Sequence, residues 1–365
     1  MTAATVQVQA KGPRPAWRRL LVWAVIIMVF AAAADLLGWN IRGWFSSLWD
    51  TMTAISLASL VVYIVLLVVK TTATAYAWYA ILKYAYPRGT TWKDVLAAYA
   101  VSVALNNVLP ANIGTLVMLI MFSTTIAGAT FAGILGGYAV EKIFFTLSGA
   151  FVYLYLFLTV GGSFDLKFGF VSKHPVATIL FAGGCVFLLY VVFRRLWPRV
   201  VKWWDQAKDG GAILAKPSRY MTRVFLPSFV SWAAMLASIG VMLNAYGIPV
   251  TFDTVMHVAG GNSIANVTSV TPGGAGVNQA FNVASLKHVT DATTATAYSV
   301  ASQLISTAWN ILFAIVLVVM AWGWTGGKAL VRKSYDDAKR QEEEQREKRR
   351  QRKLAEKAEQ EGAAG

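Results

Sequence analysis

Apolar residues run along this chain in long blocks rather than in the stripes of soluble helices. Blocks sufficient to cross about 30 Å of hydrocarbon, roughly 20 helical residues each, cover 20–38, 54–82, 128–160, 176–197, 224–246 and 293–323. Two further blocks, 95–125 and 253–288, are interrupted by proline, glycine and polar residues. The pattern predicts an all-α polytopic membrane protein with about six long transmembrane helices and two Pro/Gly-broken, re-entrant helical hairpins. The runs 128–160 and 293–323 exceed the hydrocarbon thickness, so they must tilt, kink at glycines or protrude.

Composition agrees with that pattern. The 365 residues are 56% hydrophobic and only 14% charged, where a soluble domain carries about 25% charged residues. One cysteine, Cys185, excludes an intramolecular disulfide framework, and His174, His257 and His288 are too scattered for a metal centre. No metal or other cofactor is expected.

Charge orients the chain. Residues 331–365 hold 11 basic and 9 acidic groups, leaving 22 basic against 9 acidic in residues 1–330. Lys11, Arg14, Arg18 and Arg19 precede the first block, Lys83, Arg88 and Lys93 follow the second, and residues 194–223 carry eight basic side chains. By the positive-inside rule these segments are cytoplasmic, as is the tail. The division is a cytoplasmic segment 1–19, a transmembrane domain 20–325 with a cytoplasmic basic loop at 194–223, and a charged cytoplasmic helical tail 326–365. Counting crossings from these anchors makes 95–125 a hairpin that starts and ends inside, and 253–288 one that starts and ends outside. Two halves of opposite sense, about 54–160 and 224–323, form an inverted repeat.

A displacement of 162 positions aligns Val108 with Val270, Pro110 with Pro272, Gly114 with Gly276, and Glu141 with Gln303. Proline removes a backbone donor and glycine permits positive φ, so each motif can break a helix and reverse the chain. Freed backbone groups inside a bilayer are tolerated only against protein or water. The breaks and their neighbours are therefore candidates for a polar cavity that binds substrate. They are Asn106, Asn107, Pro110, Asn112 and Gly114 at the first tip. Asn262, Asn266, Thr268, Thr271, Pro272, Gly273, Gly274, Gly276 and Asn278 form the second.

Glu141 is the single glutamate before residue 331 and lies within an apolar run. A carboxylate at that depth costs several kcal/mol and marks a transport path or an ion pair. Gly133, Gly137 and Glu141 share a helical face, with Gly149 further along it, so a neighbour can approach closely. Ala295, Ser299, Gln303 and Thr307 form the matching stripe. Lys142 points about 100° from Glu141 and is a second candidate. Lys70 reads as a snorkelling lysine. The tail, polar all round, reads as a single solvated helix that frays at its end.

The stretch NNVLPANIG at 106–114, the Glu141-Lys142 pair and P-G-G-x-G at 272–276 resemble the lysylphosphatidylglycerol synthase transmembrane family over most of residues 20–325. Thr115 and Gln303 depart from it, standing where the family tends to place charged residues. The resemblance implies the flippase-like membrane part only. The expected function is a lipid translocase that moves a polar or phosphate-headed lipid between leaflets of the inner membrane through a midplane cavity, without enzyme activity. The alternatives are a noncatalytic scaffold for an envelope-lipid enzyme and an intramembrane lipid-modifying enzyme. Expected partners are membrane lipids, anionic or prenyl-phosphate headed. Nucleic acid is not expected, and a homo-oligomer is compatible with the sequence.

Overall fold

A computed structural model describes residues 50, 55–109, 112–159, 208, 210–268, 271 and 274–363. The expected spans at 20–38 and 176–197 lie outside the described residues, as do Pro110, Pro272 and Gly273. The elements below belong to one unit, Ala54–Gly365.

Helix α1, Leu57–Ala85, starts where the Ser56 side chain accepts the amide of Ser59 at 3.1 Å, satisfying one of its orphan donors. It is ~43 Å long at 1.5 Å per residue. At its C-terminal end Thr90 Oγ1 donates to the Leu82 and Tyr86 carbonyls at 3.2 and 2.9 Å. Helix α2, Trp92–Val108, is capped by Thr91 and stops at Leu109, whose extended backbone suits the residue before a proline. Helix α3, Ile113–Thr125, then begins at Asn112. Helix α4 covers Phe131–Thr159.

Helix α5, Pro217–Ala245, contains a π-helical turn at Met221–Phe225. Pro227 explains it: the ring collides with the carbonyl four residues back, here Arg223, and a wider turn makes room. Helix α6, Phe252–Thr268, a break, and helix α7, Val277–Leu286, follow. Helix α8, Ala292–Ala363, is kinked at Gly323, where φ is 72° and ψ 168°. The order long helix, broken pair, long helix therefore occurs twice.

Thr74 of α1 lies 2.7 Å from Ser231 of α5. Ala77, Ala80 and Ile81 share a buried cluster with Val224, while Leu67 and Lys70 line one cavity with Ile239 and Met242. Numbers rise on α1 as they fall on α5, so the first helices of the two halves are antiparallel. An inverted repeat requires that of its equivalent members.

Among the described residues four helices are long and apolar enough to cross a membrane: α1, Phe131–Leu156 of α4, α5, and Ala292–Gln341 of α8. Each keeps large apolar side chains exposed, among them Val61 and Val65, Leu147 and Phe151, Phe229 and Val230, and Ile311 and Ile315. Apolar faces of that extent suit lipid and not water. The inner side is packed instead, with Trp78 1% exposed and its ring centroid 5.3 Å from that of Phe122.

The small-residue face of α4 receives close neighbours at two of its three glycines. The backbone of Gly210 packs on Gly133 and Gly137, whereas Gly149 faces open space. The tail also differs from a fully solvated helix. Gly327 lies against Val318, nine residues earlier, so the chain folds back at Gly323. Leu330, Val331, Tyr335 and Ala338 then pack on the cluster that holds Leu82, Val95 and Phe122. Gly327, Val331, Ser334 and Ala338 repeat at helical spacing, and this stripe of about three turns suffices because the receiving surface is already built by α1, α2 and α3.

Candidate functional site

Six helices and both breaks enclose a cavity of about 540 Å³. Tyr63, Leu67 and Lys70 face it from α1, spaced four and three so that they share one side of the helix. Tyr99, Val103, Asn106 and Asn107 enter from α2, and Ser238 and Met242 from α5. The second half supplies Asn262 and Ser263 from α6, Asn278 and Asn282 from α7, and Tyr298, Ser299, Ser302, Gln303 and Ser306 from α8. Asn112, Thr271 and Gly274 come from the breaks themselves.

Eight of the residues predicted from sequence thus meet in one place: Asn106, Asn107, Asn112, Asn262, Thr271, Gly274, Asn278 and Gln303. The breaks are built alike. Asn112 has φ 55° and Gly274 φ 72°, and the 162-position displacement places one opposite the other. Asparagine is among the few residues besides glycine that visit this left-handed region. Gly114 serves packing: its α-carbon lies against Asn106 and the Ser102 carbonyl, letting α3 return along α2. Asn106 secures that return, accepting the Thr115 amide at 3.3 Å and donating to Thr115 Oγ1 at 3.0 Å. At the second break Thr271 Oγ1 donates to the Ala275 carbonyl at 2.8 Å, and the Gly276 amide donates to Gln279 Oε1 at 2.7 Å. Asn266 and Thr268 belong to α6; their side chains are outside the described residues.

Glu141 and Lys142 are not among the residues that line this cavity. Glu141 is 1% exposed on α4, and its carboxylate lies 3.1 Å from Lys142 Nζ. Neighbours in sequence diverge by about 100° on a helix, so Lys142 must curl back; its ammonium also sits 5.1 Å from the Tyr138 ring centroid. The carboxylate of the first half is thus paired on its own helix. Its counterpart in the repeat, Gln303, faces the cavity and accepts from Gln279 Nε2 at 2.6 Å.

The sequence reading missed Lys70, Tyr63, Tyr99, Asn282, Tyr298 and Ser302. Lys70 is near the middle of α1, about 20 Å from either end at 1.5 Å per residue, too deep to snorkel. That depth was the available signal. Its side chain turns inward to the cavity, and no carboxylate is among the described residues that line it.

The wall carries spare hydrogen-bonding capacity. Tyr63 donates to the Ser302 carbonyl at 3.3 Å and Asn282 Nδ2 to Ser299 Oγ at 2.8 Å. Asn107 Nδ2, Asn282 Oδ1 and Ser302 Oγ are buried without a hydrogen-bond partner among the described residues, a cost of about 1–3 kcal/mol per group that a polar ligand would remove. Among the described residues no group of His, Cys, Asp or Glu is placed to hold a metal ion. A second cavity, about 460 Å³, lies at the Lys83 end of α1 and is lined by Lys83, Arg219, Arg223 and three tyrosines.

Lipid-facing helices around a polar chamber define a multi-pass membrane protein. The chain belongs to the family described as lysylphosphatidylglycerol synthase TM region, whose model matches residues 21–315. Membership assigns it a membrane lipid-related role. No curated protein matches the chain.

Proposed function

We propose that this protein is a flippase-like lipid translocase of the inner membrane, carrying a polar-headed lipid between leaflets while making and breaking no covalent bond. The observation that supports it most is that both helix breaks, one from each antiparallel half, line the same polar cavity. A head group taken from one leaflet exchanges water for the asparagine, serine and tyrosine side chains of the wall. Its tails stay in lipid beside the exposed apolar faces. Both hairpins enter and leave by one face of the membrane, the first from the cytoplasm and the second from outside. Rocking of one half against the other then opens the cavity to each leaflet in turn. The basic cavity at the Lys83 end of α1 gathers anionic head groups from the cytoplasmic leaflet, where both chain termini also lie.

The test is movement of fluorescent phosphatidylglycerol in proteoliposomes, read by chemical bleaching of the outer leaflet. The expected result is protein-dependent exchange that slows several-fold in Asn107→Ala, which removes a donor with no partner among the described residues. Absence of exchange for every phospholipid offered, with folded protein in the bilayer, would overturn the reading. A covalently altered lipid would favour an intramembrane enzyme.

A further inference from the structure

The cavity has one formal charge among its described residues, and it is positive. Lys70 faces a wall of amides, hydroxyls and three phenols. It makes no ion pair with any described acidic group, whereas Glu141 has Lys142 of its own helix 3.1 Å away. An ammonium held in a low-dielectric chamber without a counter-ion is costly, and such a group belongs with a partner that arrives from elsewhere.

Resting on the reading of this cavity as a head-group path, we infer that Lys70 makes it selective for lipids of net negative head-group charge. Its ammonium pairs with the lipid phosphate, and the neighbouring amides and hydroxyls take an uncharged, hydroxyl-bearing remainder. Three observations carry this. Lys70 is deep in the cavity and has no described counter-ion. Asn107 Nδ2 adds a donor without a partner among the described residues, suited to a phosphate oxygen, while Asn282 Oδ1 and Ser302 Oγ offer acceptors to a head-group hydroxyl. The lining contains no carboxylate among its described residues to neutralise an added cation. A head group bearing extra ammonium groups, such as a lysyl ester, would bring like charges together where water screens them least. The specificity is therefore attraction for the phosphate joined to repulsion of amino groups.

Binding to purified full-length protein in neutral detergent tests this, with phosphatidylglycerol, its lysyl ester and phosphatidylcholine as probes and native mass spectrometry as the readout. Wild type should bind phosphatidylglycerol at least tenfold more tightly than the other two. Lys70→Met, which keeps side-chain volume and removes the charge, should erase that preference through a tenfold to hundredfold loss for phosphatidylglycerol alone, the range for a charge-assisted hydrogen bond. It should not melt earlier than wild type, because it removes a buried charge. Lys70→Arg should retain most of the preference. Equal binding of the three lipids by wild type, or an unchanged preference in Lys70→Met, overturns the inference. Displacement by soluble glycerol phosphate at lipid-like concentrations also overturns it in favour of a soluble anion. The lipid-exchange assay separates the two proposals. Exchange without head-group preference keeps translocation and removes the role of Lys70. Loss of phosphatidylglycerol binding in Lys70→Met with no exchange in wild type keeps the site and removes translocation.

Discussion

Ser231 of α5 donates to the backbone carbonyl of Lys70 in α1 at 3.0 Å. The residue that carries the cavity's charge is thus fastened, through its main chain, to the other half of the molecule. Thr74, one turn on, bonds the same carbonyl at 3.1 Å and meets Ser231 Oγ at 2.7 Å. Three polar groups close a buried contact between two otherwise apolar helices.

Ser231→Ala should therefore lower stability modestly, by about 0.6 kcal/mol and at most about 1.7, the average and upper value for side-chain bonds between membrane helices. A double-mutant cycle with Thr74→Val should give coupling of similar size, read from unfolding in mixed micelles. Additive effects would show that the two hydroxyls do not act together.

Gly114→Ala should cost about 1–3 kcal/mol by overpacking. The added methyl meets the Ser102 carbonyl and Asn106, which must shift and loosen the first break. Gly149→Ala, facing open space on α4, should leave the melting temperature unchanged or slightly raised.

Glu141→Gln should leave phosphatidylglycerol binding within about twofold of wild type, because its carboxylate contacts Lys142 and does not line the cavity. Asn107→Ala should weaken binding in the same titration. A large loss in Glu141→Gln alone would place the head group beside α4.

Asp291 caps α8, accepting the amides of Thr293 and Thr294 at 2.9 and 3.0 Å and the Thr294 hydroxyl at 2.7 Å. The Thr294 side chain is the main cause holding its carboxyl below the usual carboxylate range. A lowered folded pKa gives stability that is present above the ordinary aspartate range, near 3.9, and is lost as pH falls through the folded value. Asp291→Ala should cost about 1 kcal/mol at pH 7. The gap between variant and wild-type melting temperatures should close as pH drops below about 4.

Ala338 is 1% exposed at the docked base of the tail. Ala338→Glu should release that segment, exposing the chain after Gly323 to limited proteolysis, while Lys339→Glu on the open side should not. Equal cleavage of both variants would argue against docking.

The described helices and the interruptions between them were legible along the chain because the causes are local. Unbroken apolar runs need lipid, the proline at 110 stops α2, and left-handed backbone is accessible to Asn112 and Gly274. Matching the two breaks by one displacement also brought eight of the cavity's lining residues into view, seven of them polar. Which groups meet across the molecule depends on packing between distant segments. The antiparallel seating of α1 on α5 turns Lys70 inward, a direction that its depth in the run does not by itself give. The same packing leaves Glu141 with Lys142 and sends its repeat partner Gln303 into the cavity. A residue's depth in a helix follows from its position in the run, but its azimuth acquires meaning only when a neighbouring helix covers one side.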